Sequence, residues 1–341
     1  MKSTATLKDV ALRVGVSLNT VSRSLRAPQT VRLELRQRIQ SVLDELNYVP
    51  NRLAGGLAGS HTGVIGVIVT SLHYSEFATI IEAMQERLAE AGLQVMIGNS
   101  RYEPDEELRL VRAMLSWRPA AVVIVGTDHH PRARELLALS GKPVIEVWDC
   151  ADPLVDSGVG MDHRAIGAMQ VNHLFEQGCR QLAFVGSLRA HDQRARKRLE
   201  GATERARQLR LPPLVEATEA AIGHPAMGDR LLDLALRKDA SIDGVICNSD
   251  VVAHGVLMGL RRQQRKVPDE VAVVGFGENP SNACIQPQLT SVSPPRFEIG
   301  YRTADLILKR MDGMPPERIL ITPELVVRAS SHRKGERRRA Q

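Results

Sequence analysis

Three short amphipathic helices are predicted at the start of the chain. The first carries apolar side chains at the spacing of one buried helix face, at Leu7, Val10, Ala11 and Val14. Thr6 is placed to cap this helix, with Asp9 as the acidic partner of a capping box. Gly15 permits the left-handed backbone of the tight turn that follows.

The second helix is predicted to begin after Ser17 and to bury Val21 and Leu25. A third apolar stripe closes the small core, at Leu35, Ile39, Val42 and Leu46. The second helix leaves an open outer face, made by Leu18, Asn19, Thr20, Ser22 and Arg23. This pattern predicts a helix-turn-helix whose second helix enters a DNA major groove. An ordinary three-helix bundle is the alternative on spacing alone.

A glycine-containing segment separates these helices from the rest of the chain. Residues 51–62 read NRLAGGLAGSHT, which resembles a linker. Arg52, Leu53, Leu57 and Ala58 also share one helical face, but Gly55 and Gly56 each cost a helix about 1 kcal/mol relative to Ala. We therefore expect a hinge that becomes helical only when a partner holds it.

From Gly63 onward, short apolar runs alternate with longer amphipathic stretches. The runs predict strands at Val64–Val69, Val95–Asn99, Ala121–Val125, Val144–Val147, Leu182–Val185, Gly244–Cys247 and Val271–Phe276. Helices are predicted at stretches such as Phe77–Ala91, Asp105–Ser116, Ile166–Gln177 and Arg196–Leu209. Such alternation predicts an α/β core of two doubly wound lobes with parallel sheets. Ligands in these folds bind outside the carboxyl ends of the strands.

Charge is unevenly distributed along the 341 residues. The net charge is +6, and residues 1–60 hold nine Lys and Arg against four Asp and Glu. The segment from Ser330 to Gln341 holds five basic residues and one acidic residue. A basic head that coincides with a helix-turn-helix is expected for contact with DNA phosphates. A solvated basic face without a partner is the plainer alternative.

Other composition features point to a cytoplasmic protein. No apolar stretch of a signal peptide follows the N-terminus, and no apolar run approaches the length of a membrane span. The cysteines form no CxxC pair, which favours buried thiols in a reducing compartment: Cys150, Cys179, Cys247 and Cys284. We therefore expect a cytoplasmic location.

The N-terminal residues resemble the LacI/GalR family of bacterial transcription regulators. The matching segments are Asp9–Ala11, Gly15–Ser17, Thr20–Arg23, Leu46–Arg52 and Leu57–Gly59. The resemblance continues through the core, at Asn248–Asp250, Val267–Phe276 and Pro287–Val292. Further segments resemble the gluconate-operon repressors of this family, at Tyr102–Glu107, Met114–Trp117, His130–Arg132 and Asp156–Asp162.

The resemblance implies a domain order and a homodimer bound to double-stranded operator DNA. The expected parts are a DNA-binding domain (1–50, or 6–60 with its hinge), a hinge (51–62), a two-lobed effector-binding and dimerisation domain (63–331), and a basic disordered tail (332–341). Leu18 and Asn19 occupy base-reading positions, and Arg23 suits guanine. Phosphate contacts are expected from Ser17, Thr20 and Ser22. Leu57 matches the family's minor-groove wedge, within a hinge that also supplies Asn51 and Arg52.

The resemblance also implies an effector cleft between the lobes. Arg198 matches the family's arginine, and we expect it to bind a ligand carboxylate through two N–H groups. A surface arginine in the run Arg194–Arg198 is the alternative. The other expected residues are Phe77, Trp148, Asp149, Ser249, Asp250 and Glu278. Two departures stand out: Gly277 occupies a position often held by Asp, and Arg32 stands where a Ser or Thr usually caps the third helix.

The expected function is a repressor of sugar-acid genes, released from a palindromic operator by an effector such as gluconate or a ketogluconate. A neutral sugar or purine effector is the alternative, as is a ligand that promotes DNA binding. No cofactor, metal, catalytic residue or membrane partner is expected, and His129 and His130 are interpreted as loop surface. A periplasmic sugar-binding protein would lack the first sixty residues. An enzyme would need a nucleophile elbow, a phosphate loop or a dinucleotide fingerprint, and the sequence holds none.

Overall fold

A computed structural model describes residues 5–26, 28–49, 62–72, 75–150 and 153–333. Its first three helices are α1 (Leu7–Val14), α2 (Leu18–Arg26) and α3 (Leu33–Glu45). The capping box of α1 is confirmed, because Thr6 Oγ1 accepts from the Asp9 amide (3.3 Å) and Asp9 Oδ2 accepts from the Thr6 amide (2.7 Å). Gly15 ends α1 with a φ of 78°. The expected hinge residues lie outside the described residues, apart from Thr62.

The helical core matches the predicted stripes. Its buried members are Val10, Ala11, Val14, Val21, Ile39 and Leu43, with Leu7, Leu25, Leu35, Val42 and Leu46 packed against them. Leu43 was not part of the predicted stripe. The missing cap of α3 is confirmed, since Arg32 precedes the helix and makes no side-chain capping hydrogen bond.

Two six-stranded sheets follow, each mostly parallel. The first has the order β11-β5-β4-β3-β1-β2 and the second the order β12-β10-β9-β8-β6-β7. The strands of the first sheet are β1 (Val64–Val69), β2 (Gln94–Asn99), β3 (Ala121–Val125), β4 (Val144–Asp149), β5 (Ser157–Met161) and β11 (Arg318–Leu320). Those of the second are β6 (Leu182–Ser187), β7 (Val215–Glu219), β8 (Gly244–Cys247), β9 (Ala272–Phe276), β10 (Thr290–Ser293) and β12 (Glu324–Val326). Among the described strands, only β12 is antiparallel to its neighbour.

The helices that connect these strands cover the sheets. They are α4 (Ser75–Ala89), α5 (Pro104–Ser116), α6 (Pro131–Leu139), α7 (His163–Glu176), α8 (Gln193–Gln208), α9 (Pro225–Lys238), α10 (Asp250–Arg262) and α11 (Arg296–Met311). The chain passes between the sheets through α7, through α11 and between β11 and β12. The predicted α/β class with two parallel-sheet lobes is therefore confirmed.

Helices α7 and α8 approach each other closely because glycine stands at both contact points. A β carbon on Gly167 would lie 1.9 Å from the carbonyl oxygen of Arg198, and one on Gly201 would lie 2.0 Å from that of Arg164. No side chain fits at these distances. The backbone of α8, which carries several charged side chains, is thereby fixed against α7.

Two smaller expectations are resolved by the fold. Three cysteines are buried as expected, but Cys284 is exposed, so its interpretation as a buried thiol is wrong. It follows a short 3₁₀ turn (Pro280–Ala283) at the surface of the second lobe.

Among the described helices, none is long and apolar enough to cross a bilayer.

Candidate DNA-binding helix and effector cleft

Helix α2 presents an open polar face opposite its buried side. Thr20 donates its amide to Ser17 Oγ at 3.2 Å, which caps the helix start. Val21 is fully buried, whereas Leu18, Asn19 and Arg23 are exposed. Thr20 and Ser22 are partly buried at the flanks. With no acidic residue in its first turn, this face can approach the phosphates and base edges of a major groove.

A cavity lies where the carboxyl ends of the two sheets meet. The first lobe contributes Glu76 and Phe77 of α4, Tyr102 after β2, and Trp148 of β4. The second lobe contributes Ser187, Arg189, Asp192, Arg194, Arg198, Asn248, Ser249 and Phe276. Its free volume is about 60 Å³.

Aromatic rings from both lobes form the apolar wall of the cavity. The ring centroid of Trp148 lies 5.6 Å from that of Phe77 and 6.2 Å from that of Phe276, both in edge-to-face geometry. Phe77 and Trp148 belong to the first lobe and Phe276 to the second. This wall can pack against the carbon chain of a ligand.

Arg198 is fixed by three contacts within the second lobe and with α7. Its Nη1 donates to Nδ1 of His163 at 2.9 Å and its Nη2 to the carbonyl oxygen of Asn248 at 3.1 Å. Its guanidinium carbon lies 4.1 Å from the ring centroid of Phe276. Burial lowers the pKa of Arg198 to about 10, which leaves it charged at neutral pH. Burial and the Arg198 charge hold the pKa of His163 well below its usual value, so its neutral ring accepts this bond.

Several buried polar atoms at the cavity have no hydrogen-bond partner among the described residues. They are Nη1 and Nη2 of Arg194, Nε of Arg198 and Oε2 of Glu76. Burial also raises the pKa of Glu76. A buried donor or acceptor without a partner is costly, and a bound ligand with complementary groups removes that cost.

Three residues expected at the cavity, Asp149, Asp250 and Glu278, make their hydrogen bonds elsewhere. Asp149 accepts from Lys197 Nζ at 2.5 Å and is fully buried. Asp250 accepts from the Asn279 amide (2.7 Å), Asn282 Nδ2 (2.8 Å) and Ser291 Oγ (2.6 Å), which joins three segments of the second lobe.

Glu278 forms an ion pair with Arg328 of the segment that follows β12. Like Asp149 and Asp250, it is not part of the cavity lining. The structure brings the other four expected residues together at the cavity: Phe77, Trp148, Arg198 and Ser249.

Sequence reasoning missed several lining residues, and Arg194 is the most informative of them. It stands four residues before Arg198 on α8, so the two share one face of that helix. The four-residue spacing between the two arginines is the sequence signal that could have identified Arg194. The others missed are Glu76, Tyr102, Ser187, Arg189, Asp192, Asn248 and Phe276.

His129 is not at the surface, so that expectation is wrong. Its side chain is 1% exposed, and its ring nitrogens lie 3.2 Å from Glu107 Oε2 and 3.1 Å from Glu146 Oε1. Burial acts to lower its pKa, but the two carboxylates outweigh it and raise the value to about 9. Within the described ranges, no group of His, Cys, Asp and Glu side chains could hold a metal ion.

Comparisons with known proteins agree with this geometry. Residues 6–51 match the model of bacterial regulatory proteins of the lacI family, and residues 171–331 match a periplasmic binding protein-like domain. The HTH-type transcriptional regulator GntR of Pseudomonas aeruginosa is 35% identical over 315 residues, covering 90% of each chain. GntR of Escherichia coli K12 is 32% identical, covering 92% of this chain and 93% of its own.

The chain belongs to the LacI family. A LacI-family regulator from Silicibacter pomeroyi has the same fold, with a TM-score of 0.89, 31% identity and coverage of 96% of this chain and 100% of its own. The family and branch expected from the sequence are confirmed, and the protein is a DNA-binding transcriptional regulator.

Proposed function

We propose that this LacI-family regulator represses genes of sugar-acid catabolism and leaves a palindromic operator when a sugar acid binds. Gluconate or a ketogluconate is the effector we favour over a neutral sugar or a purine. The observation that carries the proposal is the set of unpartnered N–H groups on two buried arginines at the cavity. A carboxylate is the ligand group that best pairs with buried guanidinium N–H donors.

The rest of the cavity suits a polyhydroxylated chain. Glu76 offers an unpartnered carboxyl oxygen that can accept from a hydroxyl group. Asn248 and Ser249 add polar atoms to the lining at the end of β8. A neutral sugar would use these groups but would offer the arginine N–H groups no carboxylate.

For the DNA interface, we propose base contacts from Leu18, Asn19 and Arg23. Ser17, Thr20 and Ser22 then contact phosphates. Asn51, Arg52 and Leu57 complete the proposed interface in the minor groove on sequence grounds, and they lie outside the described residues. The proposed domain bounds are those expected above, with residues 51–62 as the hinge.

We further propose that the regulator acts as a homodimer through its core lobes, with no catalytic role, in the bacterial cytoplasm. LacI-family regulators are dimeric and bind operator DNA and small effectors. Exposed apolar side chains are available for pairing on both lobes, among them Ile97 on the edge strand β2 and Met258 on α10.

Calorimetry on the full-length protein tests the effector. Gluconate, 2-ketogluconate, glucose and hypoxanthine are titrated separately, and each is then added to the operator complex while fluorescence anisotropy is followed. We expect binding and DNA release with a sugar acid only. Binding of glucose or hypoxanthine without binding of either acid would overturn the sugar-acid assignment, and tighter DNA binding with the acid would overturn release.

A further inference from the structure

Arg194 is a buried cation among the residues that line the cavity. Its side chain is 3% exposed, and neither Nη1 nor Nη2 has a hydrogen-bond partner among the described residues. Its nearest acids are Asp192, 3.5 Å from Nε, and Asp128, 3.8 Å from Nη1. These carboxylates compensate the charge but leave both terminal nitrogens without a hydrogen bond.

Arg198 differs in how its nitrogens are used. Both of its terminal nitrogens already donate, to His163 and to Asn248, and only Nε has no partner. A bidentate carboxylate bond needs two parallel N–H groups. One N–H of each terminal nitrogen of Arg198 is therefore already engaged and only its Nε is wholly without a partner, whereas both terminal nitrogens of Arg194 are wholly without one, so Arg194 offers a ligand the more complete fork.

The surroundings of Arg194 are shaped to admit a guanidinium. Gly126 follows β3 with a φ of 87°, and a β carbon there would lie 2.5 Å from Arg194 Nη1. The Tyr102 ring packs on another side, 5.4 Å from the guanidinium carbon. Both residues belong to the first lobe, so the Arg194 side chain of the second lobe reaches across the cleft.

We infer that Arg194 binds the carboxylate of the effector through Nη1 and Nη2. Arg198 adds one hydrogen bond from Nε, and Glu76 accepts from a hydroxyl group of the same ligand. The inference rests on the proposed function, because it requires an acidic effector. The Arg194 side chain would then distinguish a sugar acid from the corresponding neutral polyol.

The test compares gluconate with sorbitol, which lacks the carboxylate. Calorimetry is run on the full-length parent, Arg194→Gln, Arg194→Lys and the control Arg196→Gln, whose side chain is exposed on the same helix. We expect Arg194→Gln to weaken gluconate binding about 10- to 100-fold, from the loss of charged hydrogen bonds, without changing the weak binding of sorbitol. Arg194→Lys keeps the charge but loses the paired geometry, so it recovers the affinity only in part. Arg196→Gln binds like the parent.

Distinct results contradict the inference and the proposed function. If the parent binds gluconate and Arg194→Gln binds it equally well, Arg194 is not the carboxylate ligand, although a sugar-acid effector stands. Equal losses for gluconate and sorbitol would make Arg194 a structural residue and overturn the inference. If the parent binds none of the acids in the panel above, both fail together. Operator binding without effector shows that each variant is folded.

Discussion

Glu76 occupies the space that a side chain at position 277 would need. A β carbon on Gly277 would lie 2.9 Å from Oε1 of Glu76, although the two residues belong to different lobes. Gly277 also has a φ of 127°, a conformation that side-chain-bearing residues rarely adopt. A carboxyl group from the opposite lobe therefore lies beside the position at which the family pattern often has an aspartate.

Glu76→Gln should weaken effector binding about tenfold, because an amide is a poorer acceptor for ligand hydroxyl groups than a carboxylate. The ionised form is the stronger acceptor, and burial raises the pKa of Glu76. Affinity in the parent should therefore fall as the pH is lowered from neutral, and this fall should be weaker in Glu76→Gln. Calorimetry across pH checks both points. Glu82→Gln, exposed on the same helix, is the control.

His129 should make the stability of the protein depend on pH in the alkaline range. Its folded pKa of about 9 lies above the ordinary value of 6.5, so the stabilisation is complete below that ordinary value and is lost as the pH rises through about 9. Urea unfolding at increasing pH should show the free energy of unfolding falling over this window.

His129→Gln should lower the free energy of unfolding by roughly 3–5 kcal/mol near neutral pH, because Glu107 and Glu146 lose the cation between them. The same variant should show less dependence on alkaline pH. His191→Gln, at an exposed position, is the control. An unchanged pH profile in His129→Gln would show that another group titrates.

Arg23→Ala should cost about 1–3 kcal/mol of operator binding and relax base preference at one symmetric pair of positions. Its exposed side chain on α2 is suited to guanine O6 and N7. Binding measured against a library of operators with single substitutions checks this. Uniform weakening across all sequences would instead make Arg23 a phosphate contact.

Operator affinity should fall steeply with salt, with a log–log slope of several units, because phosphate contacts release counterions. Anisotropy titrations at increasing potassium chloride measure the slope. Ser17→Ala should change affinity without changing the slope, since a neutral hydroxyl displaces no counterion. A slope near zero for the parent would contradict the proposed phosphate contacts.

Local sequence patterns correctly predicted those helices and strands whose buried positions can be read from their own residues. Helices α1 to α3 and the apolar strands such as β3 were predicted because periodicity and capping are local properties. Strands β5, β7 and β10 were missed, since SGVGM, VEATE and TSVS lack a continuous apolar run. Their place in the sheets depends on pairing with distant neighbours.

The residues of the cavity divide in the same way, into features with a local sequence signal and features that depend on distant contacts. Arg198 was predicted from its motif, but the pairing of its two terminal nitrogens with His163 and Asn248 depends on contacts across α7 and β8. Asp250 was expected to face a ligand, yet its carboxylate is fully engaged within the second lobe. Hydrogen-bond competition of this kind has no signal in a single sequence.

The glycine contacts between α7 and α8 limit how this regulator can change its effector. Because Gly167 and Gly201 lie against opposing carbonyl oxygens, even alanine at either position would push the helices apart and displace the Arg198 backbone. New specificity must therefore arise without altering this crossing, through other lining side chains such as Tyr102 and Arg189. The hydrogen atoms that stand in place of side chains at Gly167 and Gly201 therefore restrict which effectors this protein can evolve to bind.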